Sequence, residues 1–408
     1  MGLAMTALII FIVSYLGIAL GRVPGLALDR VGIALLGAIA MVVFKVVSPA
    51  DAVSCIDFPT LCLLYGLMII SAQLRLGGFY TYAAEKIMFL VDKPGRFLLV
   101  SMVLSAVLSA LLANDIICFA LAPILAFSLK RAGLNPVPFL LGLAISSNIG
   151  SAATLIGNPQ NMLIGQVGKL PFGDFFLWAS LPSVSALLAS YGLIFLLYRN
   201  RMGGVKIGTV TGDEKDWPRF DRWQTSKGLL SVALLVGLFL TDIPRDLSAL
   251  AVAGMLLLSR KMKSRDMLAL VDWHLITLFC ALFIIIHGIS QEHLPQRLLS
   301  YLSLKGFDLA DPLCLTGLSA VLSNIFSNVP AVMLVIPCLD PIHLESWYIL
   351  AVSSTFAGNL FLLGSIANLI VVEKAEAQGV MISFKEHARI GIPVTLLSLA
   401  ILVVWALI

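Results

Sequence analysis

Ser146-Ser-Asn-Ile-Gly-Ser-Ala-Ala-Thr-Leu-Ile-Gly-Asn-Pro-Gln-Asn161 lies in the middle of an apolar stretch that runs from about Pro138 to Val167. Gly157-Asn158-Pro159 predicts a break in the helix, because proline has no N–H to donate and such a triplet favours a turn. A break at membrane depth frees backbone polar groups, which cost several kcal/mol each unless protein or water meets them. It is tolerated where it lines a cavity. Hydroxyl and amide side chains crowd this one: Ser146, Ser147, Asn148, Ser151, Thr154, Asn158, Gln160 and Asn161. Groups of that kind hold an ion or a polar solute.

The surrounding composition supplies the membrane. The chain of 408 residues is 59% hydrophobic and 12% charged, with mean hydropathy +0.99, whereas soluble domains carry about 25% charged residues. The class expected is an all-α polytopic membrane protein in the cell (inner) membrane, with the lipid bilayer as its surroundings and no nucleic-acid partner. The six cysteines are scattered with no Cys-x-x-Cys pair and read as small packing residues. The first 20 residues hold no Lys or Arg, so they read as a first span rather than a cleaved signal. An enzyme is not expected: there is no nucleophile–base set, no metal cluster and no Gly-rich phosphate loop.

About ten full spans follow from the need for roughly 20 apolar residues per crossing: 3–20, 31–49, 58–74, 137–168 (broken), 174–197, 226–241, 246–259, 270–289, 347–372 (broken) and 390–408. Two further apolar segments, about 99–129 and 312–341, are interrupted by Ala113-Asn114-Asp115 and by Ser327-Asn328-Val329-Pro330. Each reads as a re-entrant helical hairpin. The stretches 78–96 and 291–308 are amphipathic and read as helices along the interface.

A hydrophilic linker, 199–227, divides the chain into a first repeat over 1–198 and a second over 228–408. Ser105-Ala-Val-Leu-Ser109 recurs as Ser319-Ala-Val-Leu-Ser323, and at the same offset Asn114 meets Asn328 and Pro123 meets Pro337. The broken spans align too: Ser146 and Ser147 with Ser353 and Ser354, Gly157 with Gly364, Asn161 with Asn368. Five crossings and one hairpin per half make the second repeat inverted. Assigning loops to faces on that scheme puts 22 of the 27 Lys and Arg on one side and leaves Lys45, Lys169, Arg245, Arg297 and Lys305 on the other. By the positive-inside rule the first face, with the linker, is cytoplasmic and both termini lie outside.

Inverted repeats with discontinuous helices at their interface are the signature of secondary transporters. The hairpin-tip asparagines, the stretch Asn148 to Asn161 and Gly358-Asn-Leu-Phe-Leu-Leu-Gly-Ser-Ile-Ala-Asn-Leu369 resemble the ion transporter superfamily, which includes citrate and dicarboxylate symporters, arsenite permeases and one class of sodium/proton antiporters. The resemblance covers nearly the whole chain. It implies an ion site at each hairpin tip, closed by the facing broken span, and a homodimer. Asn114 would work with Gly157, and Ser327 and Asn328 with Gly364, each as a sodium site. The binding set on this reading is Asn114, Asp115, Ser147, Asn148, Thr154, Gly157, Asn158 and Asn161 in the first repeat. In the second it is Ser327, Asn328, Ser354, Thr355, Gly364, Ser365 and Asn368. The dicarboxylate branch has Ser-Asn-Thr at both tips. Here the first tip resembles the arsenite permease branch, while Gly-Asn-Pro-Gln-Asn resembles the anion-permease members.

Asp115 is the sharpest single residue, because a carboxylate at membrane depth costs at least about 2.5 kcal/mol on insertion scales. It reads as the group that binds the coupling sodium or carries the coupled proton, against a plain helix cap. Asp57 and Asp272 read as N-caps at span starts. His274, His287 and His293 make no metal set, and Glu373-Lys374 reads as a pair snorkelling at a span end. The function expected is secondary transport of a small inorganic or organic anion or oxyanion with a cation. Arsenite or antimonite efflux and sodium/proton antiport are the alternatives. No resident cofactor is expected.

Overall fold

The computed structural model describes residues 2–21, 25–203, 217–291 and 308–408. Nineteen α-helices make up the described part. The first half runs α1 (Gly2–Leu20), α2 (Arg30–Val43), α3 (Pro49–Ser54), α4 (Phe58–Leu76) and α5 (Phe79–Ile87). A helical hairpin follows, α6 (Pro94–Leu111) and α7 (Asn114–Arg131). Then come the broken pair α8 (Val137–Ser151) and α9 (Pro159–Val167), and α10 (Phe172–Tyr198). The second half repeats the order. It has α11 (Arg222–Phe239), α12 (Arg245–Leu257), α13 (Ser264–Leu268) and α14 (Trp273–Ser290). The hairpin α15 (Pro312–Phe326) and α16 (Asn328–Val335) precedes the broken pair α17 (Leu344–Ala357) and α18 (Ile366–Ala377). The half closes with α19 (Phe384–Ala406).

Caps set the helix starts. Asp57 and Asp272 each accept the backbone N–H three residues on, from Thr60 at 2.8 Å and Leu275 at 3.0 Å, which satisfies one orphan donor of the first turn. Two boundaries differ from those expected. α2 stops at Val43 rather than near 49, because Lys45 turns left-handed at φ 58° and Ser48 with Pro49 starts a new helix. α19 starts at Phe384 rather than 390, because Ser383 caps it by accepting the Glu386 N–H. Of the two interfacial stretches, 78–96 forms α5 and a short 3₁₀ turn, Met88–Leu90, before α6 begins at Pro94. Most of 291–308 and the middle of the linker lie outside the described residues.

Among the described residues, six helices are long and apolar enough to cross a bilayer by length and composition: α1, α4, α6, α10, α14 and α19. Their outward faces are hydrocarbon. On α10, Leu177, Leu181, Val184 and Leu188 form an i, i+4, i+7, i+11 stripe, each more than half exposed. Such a stripe suits a lipid-facing surface. α8 is the opposite case, with all fifteen of its residues buried. The broken span is therefore the centre of the molecule.

Packing sorts the helices into two groups. α1, α2, α4, α11, α12 and α14, the first three spans of each half, pack chiefly on one another. Both hairpins, both broken pairs and the last helix of each half form the other group, held by α6 on α8, α15 on α17, α7 on α18 and α10 on α19. Small residues let these backbones close up, as in membrane bundles generally. At Gly150 of α8 an added Cβ would sit 2.3 Å from the Ala106 Cα of α6. Gly150→Val is expected to destabilise the protein by about 3 kcal/mol, as overpacking against backbone does, while Gly254→Ala, where nothing lies within 4 Å, is expected to be neutral. Thermal melting in detergent reads both.

Candidate transport site

The first break spans 152–158. The freed carbonyls of Ser151 and Thr154 accept from the Asn161 amide at 3.4 and 3.0 Å, and the Asn161 N–H donates to Asn158 Oδ1 at 2.9 Å. Thr154 donates to the Ala110 carbonyl of the hairpin at 2.5 Å. The carbonyl of Gly157 accepts the Asn114 N–H at 2.9 Å. Gly157 is required there, since a Cβ would lie 2.3 Å from the Ser151 carbonyl oxygen and 2.7 Å from that of Ser109. Ser147 bridges to the hairpin through Ser109 Oγ at 2.8 Å and the Asn114 carbonyl at 3.2 Å.

The second break, between Ala357 and Ile366, is met in the same way. Asn368, aligned with Asn161, donates back to the carbonyls of Gly358 at 2.8 Å and Phe361 at 3.3 Å. Asn324 donates to the Ala357 carbonyl at 3.0 Å. With its amide oriented by the surrounding acceptors, Asn328 donates to the carbonyls of Ser354 and Gly364, each at 3.2 Å, and accepts from Gln160 Nε2 at 3.3 Å. Each break glycine is thus held by the asparagine of its own hairpin tip. These carbonyls each keep a second lone pair for a cation. The second tip is the more strained: Ser327 has φ 76° and ψ 160°, a region disfavoured for side-chain-bearing residues, whereas Ala113 has φ −59°.

The two broken spans also brace each other, reciprocally. Asn148, at the end of α8, donates to Asn359 Oδ1 at 2.9 Å and Asn368 Oδ1 at 3.2 Å and accepts from Ser365 Oγ at 3.0 Å. Thr355, its counterpart in α17, accepts from Asn158 Nδ2 and Gln160 Nε2, each at 3.2 Å, and lies 3.3 Å from Asn161 Oδ1. At the offset that aligns the two broken spans, Asn148 with Ser365 and Asn368 is the same set as Thr355 with Asn158 and Asn161. All sit within 4% of full burial. The structure therefore brings together every residue of the expected set, with Asp115 and Ser327 at its edge. Asn324, Asn359 and Gln160 were not in that set. Asn359 repeats the Gly-Asn pairing of Gly157-Asn158, which was the available signal; Asn324 carries none.

A narrow cleft of about 20 Å³ opens between the tips, walled by Asn114, Asp115, Gln160, Asn328 and Ser365 among others. These residues belong to the N-terminal ends of α7, α9, α16 and α18. Asn114 Oδ1, 4% exposed as a residue, has no hydrogen-bond partner. Asp115 lies in the first turn of α7, whose N-cap is Ala113. It stands between the cleft and a wider cavity of about 310 Å³ that it shares with Asp272 and Arg75. Asp272, read from sequence as a cap alone, both caps α14 and faces this cavity. Asn148→Ala removes the partner of groups on four other residues: Asn359, Asn368, Ser365 and Asn114, whose Nδ2 donates to Asn148 Oδ1 at 3.0 Å. With roughly 1–3 kcal/mol for each buried polar group left unsatisfied, it is expected to lower stability by at least about 2 kcal/mol, read as a drop in the melting temperature of the purified protein.

Residues 6–346 match the model of the citrate transporter family, CitMHS. Similar proteins span almost the whole chain. A 46 kDa membrane protein of Mycobacterium leprae is 28% identical over 98% of this chain and 97% of its own. The silicon efflux transporter LSI3 of Oryza sativa is 29% identical over 93% and 92%. A putative transporter arsB of Dictyostelium discoideum is 24% identical over 96% and 89%. The fold resembles the solved MtrF transporter of Neisseria gonorrhoeae, with TM-score 0.61 at 12% identity, covering 99% of this chain and 94% of that one. It also resembles the YdaH transporter of Alcanivorax borkumensis, with TM-score 0.55 at 14% identity and coverage of 99% and 96%. A multi-pass membrane transporter rather than an enzyme, this chain belongs to the citrate transporter family.

Proposed function

We propose that the chain carries a small anion or oxyanion across the membrane, coupled to sodium or protons at Asp115. One observation carries the reading. Four half-helices, α7, α9, α16 and α18, begin at the cleft, and each N-terminus presents about half a positive charge. Such ends attract anions without a cationic side chain. Asp115 opposes that field until a cation or proton neutralises it, so binding of the anion and of the cation favour each other. That mutual dependence is the requirement for coupled transport.

In this reading the group holding the hairpins and broken spans moves against the group of first spans, and the repeats are inverted. The linker faces the cytoplasm, both termini face outside, and two copies form a homodimer. A second reading, efflux of a neutral hydroxide such as arsenite or antimonite, is favoured by the cleft's lining of amides and hydroxyls with no Lys or Arg among the described residues. The names of the rice and Dictyostelium relatives point the same way. Sodium/proton antiport is the third reading, and it needs Asp115 alone.

The test is uptake by proteoliposomes of succinate, citrate, sulfate, phosphate and arsenite, with and without a sodium or pH gradient. Gradient-dependent uptake of a charged member of the panel, lost in Asp115→Asn, is the expected result. Arsenite movement alone would select the neutral hydroxide. Sodium-driven proton flux with no added solute would select the antiporter.

A further inference from the structure

The two groups of helices meet along a seam, and the seam has a register. On one side stand Arg75, in the last turn of α4, and Asp272, the N-cap of α14. Facing them on α7 are Asp115 and Phe119. Four residues apart, they share a helix face and are separated by about 6 Å along the axis. The Arg75 guanidinium carbon lies 4.3 Å from the centre of the Phe119 ring. Lys374 Nζ lies 4.3 Å from the same ring. Lys374 belongs to α18, which packs along α7 in the same group, so it would travel with Phe119. It also lies 3.2 Å from Glu373. Arg75 is different: among the described residues no carboxylate is ion-paired with it.

Asp115 and Asp272 line two adjoining cavities along this seam, of about 40 and 310 Å³. Carboxylates facing one space repel unless a cation or proton lies with them. In a carrier coupled to a cation, the bound cation or proton supplies that compensation. The difficulty for any such carrier is the return journey, when Asp115 has lost its cation and must cross a low-dielectric seam as a bare charge. Arg75 stands one helical turn further along α7 than Asp115, at the level of Phe119.

We propose that Arg75 is an internal counter-ion, which replaces the coupling cation at Asp115 when α7 slides one turn along α4 in its own N-to-C direction. The slide moves Phe119 off the guanidinium and brings Asp115 onto it. Asp115 then leaves Asp272, so the repulsion between the two carboxylates disappears together with the cation that had compensated it. One-turn steps of this kind are known between packed helices, because interdigitated side chains have discrete resting positions. The cation–π contact holds the loaded register and the ion pair holds the empty one. The inference rests on the reading of Asp115 as the coupling group, and its tests separate from that reading as follows.

The register is tested by cysteine cross-linking of the full-length protein in liposomes, with the six native cysteines replaced. Met68→Cys with Ile116→Cys, which line both cavities, reports the present register, and Ala72→Cys with Ile116→Cys, one turn further along α4, the slid one; both pairs leave Arg75, Phe119 and Asp115 in place. The first pair should link in sodium at acid pH. The second should gain at least about threefold in choline at alkaline pH, a shift of well under 1.4 kcal/mol in the balance of registers. Absence of the second link under every condition overturns the slide, as does failure of both pairs. No transported solute is needed for this arm, so it stands whatever the uptake panel shows. The counter-ion role is tested with arsenite and succinate as probes. Arg75→Gln should slow net uptake about tenfold, the scale of losing one partly desolvated ion pair, yet change exchange across loaded vesicles less than twofold, because exchange never requires the empty carrier to return. Arg75→Lys should keep most of the net rate. Equal loss of net uptake and exchange, or no loss of either, overturns the role.

Discussion

Everything in this molecule depends on meeting the backbone groups that two interrupted helices expose in its interior. Water is absent at that depth and each orphaned group is costly. The solution is amide chemistry. Asn161 and Asn368 reach back to the carbonyls their own breaks set free, and the Asn328 side chain holds Gly364 from its hairpin tip, while Gly157 is held by the backbone N–H of Asn114. Asparagine suits the task because one short side chain carries both donors and an acceptor. The same bonds that stabilise the breaks also aim four helix N-termini into one cleft, so stability and binding geometry have a single origin.

Reciprocity between the halves gives that arrangement its stiffness. Asn148 of the first broken span reaches into the second break, and Thr355 of the second reaches into the first. Neither break can be remodelled without disturbing the other. The hairpins, broken spans and last helices therefore form a cross-tied block, while the first three spans of each half pack among themselves. Between the two groups runs a seam that carries cavities, two carboxylates and a cation–π contact in place of dense apolar packing. A boundary of that make-up is where relative motion costs least, since few close-packed contacts must be broken.

Much of this was legible from residue order. The breaks at Gly157-Asn158-Pro159 and around Gly364, the tips at Asn114 and Asn328, and the N-caps Asp57 and Asp272 follow from local rules about proline, glycine and capping side chains. Those rules act over a few residues, so sequence is enough. The ends of α2 and α19 were misplaced because a left-handed Lys45 and a Ser383 cap leave no mark on an apolar profile. Asp272 has two roles, of which residue order shows one. Its capping bond is local, but its apposition to Asp115 joins residues more than 150 positions apart.

The sequence by itself determined that the chain is helical, lives in lipid, breaks its helices twice in matching places, and lines those breaks with amides and hydroxyls. These follow from composition, spacing and the internal match between halves. Only the tertiary structure decided which amide meets which carbonyl, that Asn148 and Thr355 exchange partners across the repeats, and that Arg75, Phe119, Asp115 and Asp272 face one another along a seam. Hydrogen bonds and ring contacts act over 3–5 Å between side chains from different helices. No periodicity along the chain encodes which helices become neighbours at that range.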